Sequence, residues 1–396
     1  MLFVAKEDSL HREKGTRRKL LVLALALLLT AAAPQHSAFA ARADNAEIDR
    51  YVAQQVRDAR LPGLSFAIVR DGALVHSGSY GSAADGQPLT AQTPFGIGSM
   101  TKSFTALAAM QLAEAGEIEL DAPVQRYLPW FRVADPAASA QITVRHLLNQ
   151  TSGLSQHDGF WDAAASGDPL EQRVRALADV RLGSAPGSEF AYSNSNFDVL
   201  GMVIQQVSGQ QYAAYVAEHI LQPLEMANSS FAPAVRAPGH QDWYGLALPA
   251  RPGVGQAMLP AGGLYSSAED MGRYLIDQLA AGRAGNGLLS PAGYAELHRA
   301  SGVGGSRYAM GWVARTNQNP PMVEHGGASP AYHSQMLFAP QQGLGVVVLS
   351  NINTVPFGSI PAERIAEGTL ALLVGGTPQA AGFAGASTPL LFKWGL

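Results

Sequence analysis

Gly98-Ser99-Met100-Thr101-Lys102-Ser103-Phe104 is the stretch on which the reading of the fold turns. Ahead of it, Leu64–Arg70 alternates as a strand, Asp71-Gly72 supplies a hairpin turn, and Ala73–Gly81 returns as the partner strand. From Ser99 to Ala115 the period becomes helical: Phe104, Leu107, Ala108 and Leu112 share one face, and Gly116 is the stop. Residues 117–300 read as helix and long loop, punctuated by Pro136, Gly153, Pro186-Gly187, Pro252-Gly253 and Gly262-Gly263. Strand signals return in Tyr308–Ala314, Met322–His325, Ser334–Phe338 and Leu344–Ser350, and Pro361–Val374 reads as a closing helix. Asn45 to Arg57 opens the pattern as a helix striped by Ile48, Val52 and Val56. Strands at both ends of a helical middle imply one sheet assembled from distant segments, with a helical subdomain inserted. The expected boundaries are a sheet region at about 41–98 and 301–376, a helical insert at about 99–300, and a loosely ordered tail at 377–396. A site is expected in the cleft between sheet and insert.

Composition narrows the classes. The chain has 396 residues, 47% hydrophobic and 15% charged, which suits a large folded core and excludes disorder. With no Cys, a disulfide scaffold, a thiolate metal site and a cysteine nucleophile are all excluded. A net charge of −4 offers no electrostatic footprint for nucleic acid. Arg17, Arg18 and Lys19 precede an apolar run from Leu20 to Ala33, and Ala38-Phe39-Ala40 follows. That is the pattern of a secretory signal peptide over 1–40, with cleavage after Ala40, and an uncleaved anchor is the alternative. Losing its six basic and three acidic residues leaves 21 basic against 28 acidic, or −7. The expected location is periplasmic or secreted, with no stable membrane span once the signal is removed.

Lysine usage directs attention to one helix. The five lysines are Lys6, Lys14, Lys19, Lys102 and Lys393, so signal removal leaves two, and arginine does nearly all other basic work. A lysine kept inside an apolar helix suits an ammonium that must lose its proton, which arginine cannot do. Ser99 and Lys102 are three apart and share a helix face, so the amine can reach the hydroxyl as base to nucleophile. A helix N-cap serine beside an unrelated lysine would leave the same trace. In Tyr192-Ser193-Asn194 the phenol could relay a proton and the amide could hold a substrate carbonyl; a turn asparagine beside a packed tyrosine is the alternative. In His325-Gly326-Gly327-Ala328 the two glycines let a ligand backbone approach closely and the histidine faces the cleft; a plain strand-end turn is the alternative. There is no G-x-S-x-G, H-E-x-x-H, P-loop or dinucleotide fingerprint, so neither a metal nor an organic cofactor is implied.

Taken in order, S-x-x-K, Y-x-N and H-G-G resemble the motifs of the penicillin-recognising serine hydrolases of the class C β-lactamase type. That group includes D-alanyl-D-alanine carboxypeptidases, D-aminopeptidases and related esterases. Ile142–Leu154, Pro260–Ser267 and Tyr308-Ala309-Met310-Gly311-Trp312 extend the resemblance to about 45–375. It implies an α+β sandwich: an antiparallel sheet flanked by N- and C-terminal helices, a helical subdomain, and Ser99 between them. It also implies that Ser99 is acylated, Lys102 accepts its proton, Tyr192 is general base and shuttle, and Asn194, His325, Gly327 and Ala328 bind substrate. The backbone N–H groups of Ser99 and Ala328 would form the oxyanion hole. His325 stands where many true β-lactamases of this type carry the lysine of K-T-G, and H-G-G looks more like the D-aminopeptidase and esterase members.

The expected protein is therefore an exported serine hydrolase cleaving an amide or ester, first a peptidase on D-amino-acid or peptidoglycan-like substrates. An esterase, a β-lactamase and a non-turnover penicillin-binding module are the alternatives. Its expected partner is a small-molecule or peptide substrate; specificity is assigned to loops such as Gln156–Pro169 and His240–Met258, with Trp161 and Trp243 as candidate pocket walls. Titration of His325 is expected to make acylation pH-dependent between about 5 and 8.

Overall fold

Asp44 accepts the Glu47 amide at 2.7 Å and so starts α1 (Asn45–Asp58), which buries Ile48 and Val52. The chain is described here from a computed structural model covering residues 43–378 apart from 84–85, 157–168, 252–254, 281–286 and 355–360. The signal peptide expected over 1–40, the tail beyond 378 and Trp161 lie outside the described residues. Strands β1 (Gly63–Arg70) and β2 (Ala73–Gly81) are joined by Asp71 and Gly72 with φ of 50° and 81°, the left-handed pair of a type I′ turn. A 3₁₀ turn at Gly98–Met100 leads into α2 (Thr101–Glu114). Next come α3 (Leu170–Arg175), α4 (Asn194–Ser208) and α5 (Tyr212–Val216), then the strands β3 (His240–Trp243) and β4 (Leu246–Pro249), and α6 (Ala268–Leu279). The chain closes through β5 (Val313–Arg315), β6 (Met322–Ser329), β7 (Tyr332–Ala339), β8 (Leu344–Ser350) and α7 (Pro361–Leu373).

Six strands form one antiparallel sheet in the order β2-β1-β8-β7-β6-β5. The early strand β1 pairs with the late strand β8 from Leu64↔Ser350 to Arg70↔Leu344, so distant segments meet in the middle of the sheet. Both faces are covered. Leu64, Phe66, Ile68, Val346 and Val348 pack with Ile48 and Val52 of α1 and Ile365 and Leu370 of α7. Ala67, Val69, Met336, Phe338, Val347 and Leu349 face the layer that contains α2 and α6. Burial on both sides removes the polar face that the alternating reading of Leu64–Arg70 presumed.

The structure corrects four further expectations. Helix α2 is not striped: Thr101 to Met110 are all buried, because the helix runs through the centre of the helical layer. Its polar side chains stay satisfied locally, with Thr101 Oγ1 donating to Gly98 O at 2.7 Å and Ser103 Oγ to Met100 O at 2.8 Å. Helix α6, inside the stretch read as insert, lies on the sheet; a Cβ on Gly272 would sit 2.8 Å from Leu74 and 3.6 Å from Ala67. The 240–249 stretch is a hairpin, turning at Tyr244 and Gly245 with φ of 52° and 86°; its strands are too short to show alternation. Strand β6 continues past His325 to Ser329, so His-Gly-Gly lies inside a strand and is no strand-end turn. Among the described residues, no helix is long and apolar enough to cross a membrane.

Candidate active site

Ser99 occupies the 3₁₀ turn that feeds α2, and this turn is pressed against β6. Gly98 takes φ 53°, and a Cβ there would lie 2.8 Å from Ala328 N and 2.7 Å from Ala328 O. A Cβ on Gly327 would lie 1.9 Å from Ile97 O. Ser334 Oγ on β7 donates to that same carbonyl at 2.9 Å and fixes the turn. The two glycines thus set how closely the serine turn approaches the strand, and bring the backbone of Ser99 beside that of Ala328. The period of two puts His325 and Gly327 on this face of β6, while Glu324 faces α7.

One turn beyond Ser99, as the second residue of α2, Lys102 is fully buried, whereas Ser99 is half-buried. Lys102 Nζ lies 3.0 Å from Ser99 Oγ, 2.6 Å from Asn194 Oδ1 and 2.7 Å from Ala261 O. The amide oxygen and the carbonyl can only accept. A neutral amine has two N–H groups and one lone pair, so these two acceptors take both N–H groups and leave the lone pair for the Ser99 hydroxyl. After proton transfer the third N–H points back at the serine oxygen, and nothing need rotate. Burial drives the Lys102 amine down to about 7, opposed by the charge of Asp198.

Tyr192 hydrogen-bonds Ser99 through its hydroxyl, and Lys102 Nζ sits 4.9 Å from its ring centroid. Burial pushes the phenol well above its ordinary value, so it carries its proton at neutral pH. His325 behaves otherwise than its residue type suggests. Its Nδ1 is 2.6 Å from Gly326 O, a carbonyl that can only accept, so Nδ1 carries the proton and Nε2 faces Tyr308 Oη at 3.4 Å. Burial, then the charge of Lys102, hold the imidazole down at about 3. The expectation that His325 titrates between 5 and 8 is corrected accordingly: the groups near 7 at the site are Lys102 and, behind it, Asp198, which burial raises.

The structure brings Ser99, Lys102, Tyr192, Asn194 and His325 together, with Gly327 and Ala328 beside them. Asn194 is more committed than expected, since its carbonyl oxygen is held by Lys102. Four groups have no role in the sequence reading, although Ala261, Gln150 and Tyr308 lie in the stretches that carry the resemblance. Ala261 contributes a backbone carbonyl, for which Gly262-Gly263 was the signal. Gln150, at φ 59°, accepts from Ser193 N at 2.9 Å and Asn196 Nδ2 at 2.5 Å, fixing the segment that carries Tyr192 and Asn194. Tyr308 bridges towards His325, and Gly311 behind it rests on α2, where a Cβ would lie 2.7 Å from Lys102 O. Asp198 is fully buried one turn beyond Asn194. Trp243, a candidate pocket wall, is 54% exposed and sits beside Tyr244 with ring centroids 5.5 Å apart.

Among the described residues, one group of carboxylates is close enough to share a cation: Glu324, Glu363 and Glu367. They surround Arg315, which reaches them at 2.5, 3.1 and 2.5 Å, so a guanidinium already fills the centre of the group, and burial with the two like charges raises the Glu324 carboxyl to about 7.

The family described as Beta-lactamase matches residues 48–370. Protein flp of Staphylococcus aureus (strain MW2) is 30% identical over 320 residues, covering 78% of this chain; the chain spans 63% of the length of that relative. Esterase EstB of Burkholderia gladioli is 31% identical over 385 residues, covering 82% of this chain and 95% of EstB. Among solved structures, the octameric penicillin-binding protein homologue from Pyrococcus abyssi superposes with a TM-score of 0.72 at 29% identity, covering 85% of this chain and 79% of that one.

Proposed function

The chain belongs to the Beta-lactamase family of serine hydrolases, and from that premise we propose that it is an exported enzyme that cleaves esters through an acyl-enzyme on Ser99. Ser99 Oγ attacks the substrate carbonyl as its proton passes to Lys102 Nζ. The N–H groups of Ser99 and Ala328 hold the oxyanion, each worth about 10²–10³ in rate. Tyr192 delivers its proton to the leaving group and takes the one held by the Lys102 ammonium, so both groups are restored when water attacks the acyl-enzyme and releases the acid. The observation that carries this reading is the arrangement of Lys102, with both N–H groups taken and its lone pair left for Ser99.

The ester preference rests on His325. A neutral imidazole in this place offers no ionic partner to a substrate carboxylate, so penicillins and peptides ending in a free carboxylate are poorly matched. The near full-length similarity to EstB supports the same reading. A peptidase on D-amino-acid or peptidoglycan-like substrates is the second reading, favoured by the similarity to a penicillin-binding protein homologue. Export is proposed from Arg17-Arg18-Lys19, the apolar run Leu20–Ala33 and Ala38-Phe39-Ala40.

The test is a substrate panel on the purified protein with Ser99→Ala as control: p-nitrophenyl esters, D-alanine p-nitroanilide and benzylpenicillin, with intact mass recorded during turnover. Ester turnover with a transient acyl mass on wild type alone is the expected result. Turnover confined to the D-alanine anilide would give the peptidase reading, and a long-lived penicillin adduct a penicillin-binding module.

A further inference from the structure

Asp198 lies four residues beyond Asn194 on α4, hence on the same helix face as the carboxamide that holds Lys102. It is fully enclosed. Its ion-pair partner is Arg173 on α3, with Nε 3.6 Å from Oδ2, wider than a hydrogen bond, and Arg173 Nη2 donates to Ser195 Oγ at 3.1 Å. Lys102 is the second cation acting on it, from α2; burial outweighs both charges and raises the Asp198 carboxyl to about 7, so that it is an anion above that pH. Tyr212 faces it from α5, with its own hydroxyl 2.7 Å from Thr105 Oγ1. The other ionisable groups acting on Lys102 are Tyr192 and His325. An enclosed carboxylate is costly unless opposite charge offsets it, and so is an enclosed ammonium. Here the two are buried on neighbouring helices behind one serine.

We propose that Asp198 is a positioning residue for Lys102: paired with Arg173 of α3, its carboxylate stabilises the ammonium formed when the amine takes the Ser99 proton. In that step the Ser99 O–H bond breaks as Oγ bonds the carbonyl carbon, the proton moves to Nζ, and Asp198 faces a new cation on the neighbouring helix. Asp198 itself transfers nothing. The inference rests on the Ser99 acyl-enzyme proposed above.

The experiment follows the labelling of Ser99 by an alkyl fluorophosphonate, with intact mass as readout, from pH 5 to 9. In wild type the rate rises through a midpoint near 7, where the Lys102 amine and the Asp198 carboxyl both titrate. In Asp198→Asn the lost anion weakens the ammonium, so the midpoint falls by about 1 unit and the plateau rate drops. Asp198→Glu, which keeps the charge, retains the wild-type midpoint. Asp198→Ser, smaller and able to admit a water, is read the same way where asparagine does not fold. A folded Asn or Ser variant with an unmoved midpoint overturns the proposal, as does failure of both to fold, which would make the role structural. Absence of labelling on wild type would instead sink the Ser99 reading.

Discussion

Lys102 Nζ stands 3.0 Å from Ser99 Oγ with its other two hydrogen-bonding directions fixed by Asn194 and Ala261. The amine is therefore held in one orientation by groups that cannot themselves accept the serine proton and keep their hydrogen bonds to it. A guanidinium would neither fit the three short contacts nor give up a proton. Lys102→Arg is expected to lose about 10²–10⁴-fold in kcat, as much as Lys102→Ala. Ester hydrolysis measured on folded variants checks this, and an arginine variant within tenfold of wild type would take Lys102 out of the base role.

The amine sits near 7 because burial disfavours its charged form. Below that pH Lys102 is an ammonium and cannot accept the Ser99 proton; above it the amine is free. The expected profile of kcat/KM is thus a rise with pH through a midpoint near 7. His325, held near 3, is already neutral across that range. His325→Gln should leave the midpoint in place while changing KM. A limb that vanishes in His325→Gln would return the titration to the imidazole.

Gly327→Ala tests the approach of the serine turn to β6. The new methyl would meet Ile97 O at 1.9 Å and Ser334 Oγ at 2.6 Å, both fixed by their mutual hydrogen bond. Overpacking of this kind costs about 1–3 kcal/mol, and here it displaces the Ser99 turn as well. Thermal denaturation should show that loss, and kcat should fall by about 10²-fold or more as an oxyanion donor moves out of place. A variant with lowered Tm and unaltered kcat would mean that Ala328 does not serve the reaction.

Tyr192→Phe removes a phenol that stays protonated at every working pH and keeps the ring beside Lys102. The expected loss is about 10²–10⁴-fold in kcat with KM little changed. An ester with a very good leaving group should suffer less than a poor one, because protonating that group matters less. Equal losses on both would argue against a proton-delivery role.

Residues that carry chemistry on short spacings were the legible part of the site. Ser99 with Lys102, and Tyr192 with Asn194, fall on the same helix or turn, so periodicity alone brings each pair together. Ala261 acts through a backbone carbonyl, which no side chain announces. Gln150 matters for its fold partners: only the tertiary contacts to Ser193 and Asn196 reveal it. The His325 imidazole was legible as a residue of the cleft, but its charge state was not, because burial and a neighbouring ammonium decide it. For the fold, the strands at both ends of the chain and the Asp71-Gly72 turn were readable from pattern. The hairpin at 240–249 was not, since HQDW and LALP are too short and too mixed to show a period of two. Nor was the place of α6, whose apolar stripe says that it packs and not against what.

Ala43 N–H donates to Leu372 O at 3.4 Å, and α1 and α7 share the sheet face turned away from Ser99. The first and last elements of the described residues are therefore neighbours. A short linker could join them, and the chain could be reopened at the exposed Tyr244-Gly245 tip with every rung of the six-stranded ladder intact. A circular permutant of this kind would keep its nucleophile, and the same geometry means that a tether attached at either end would leave the cleft facing outward.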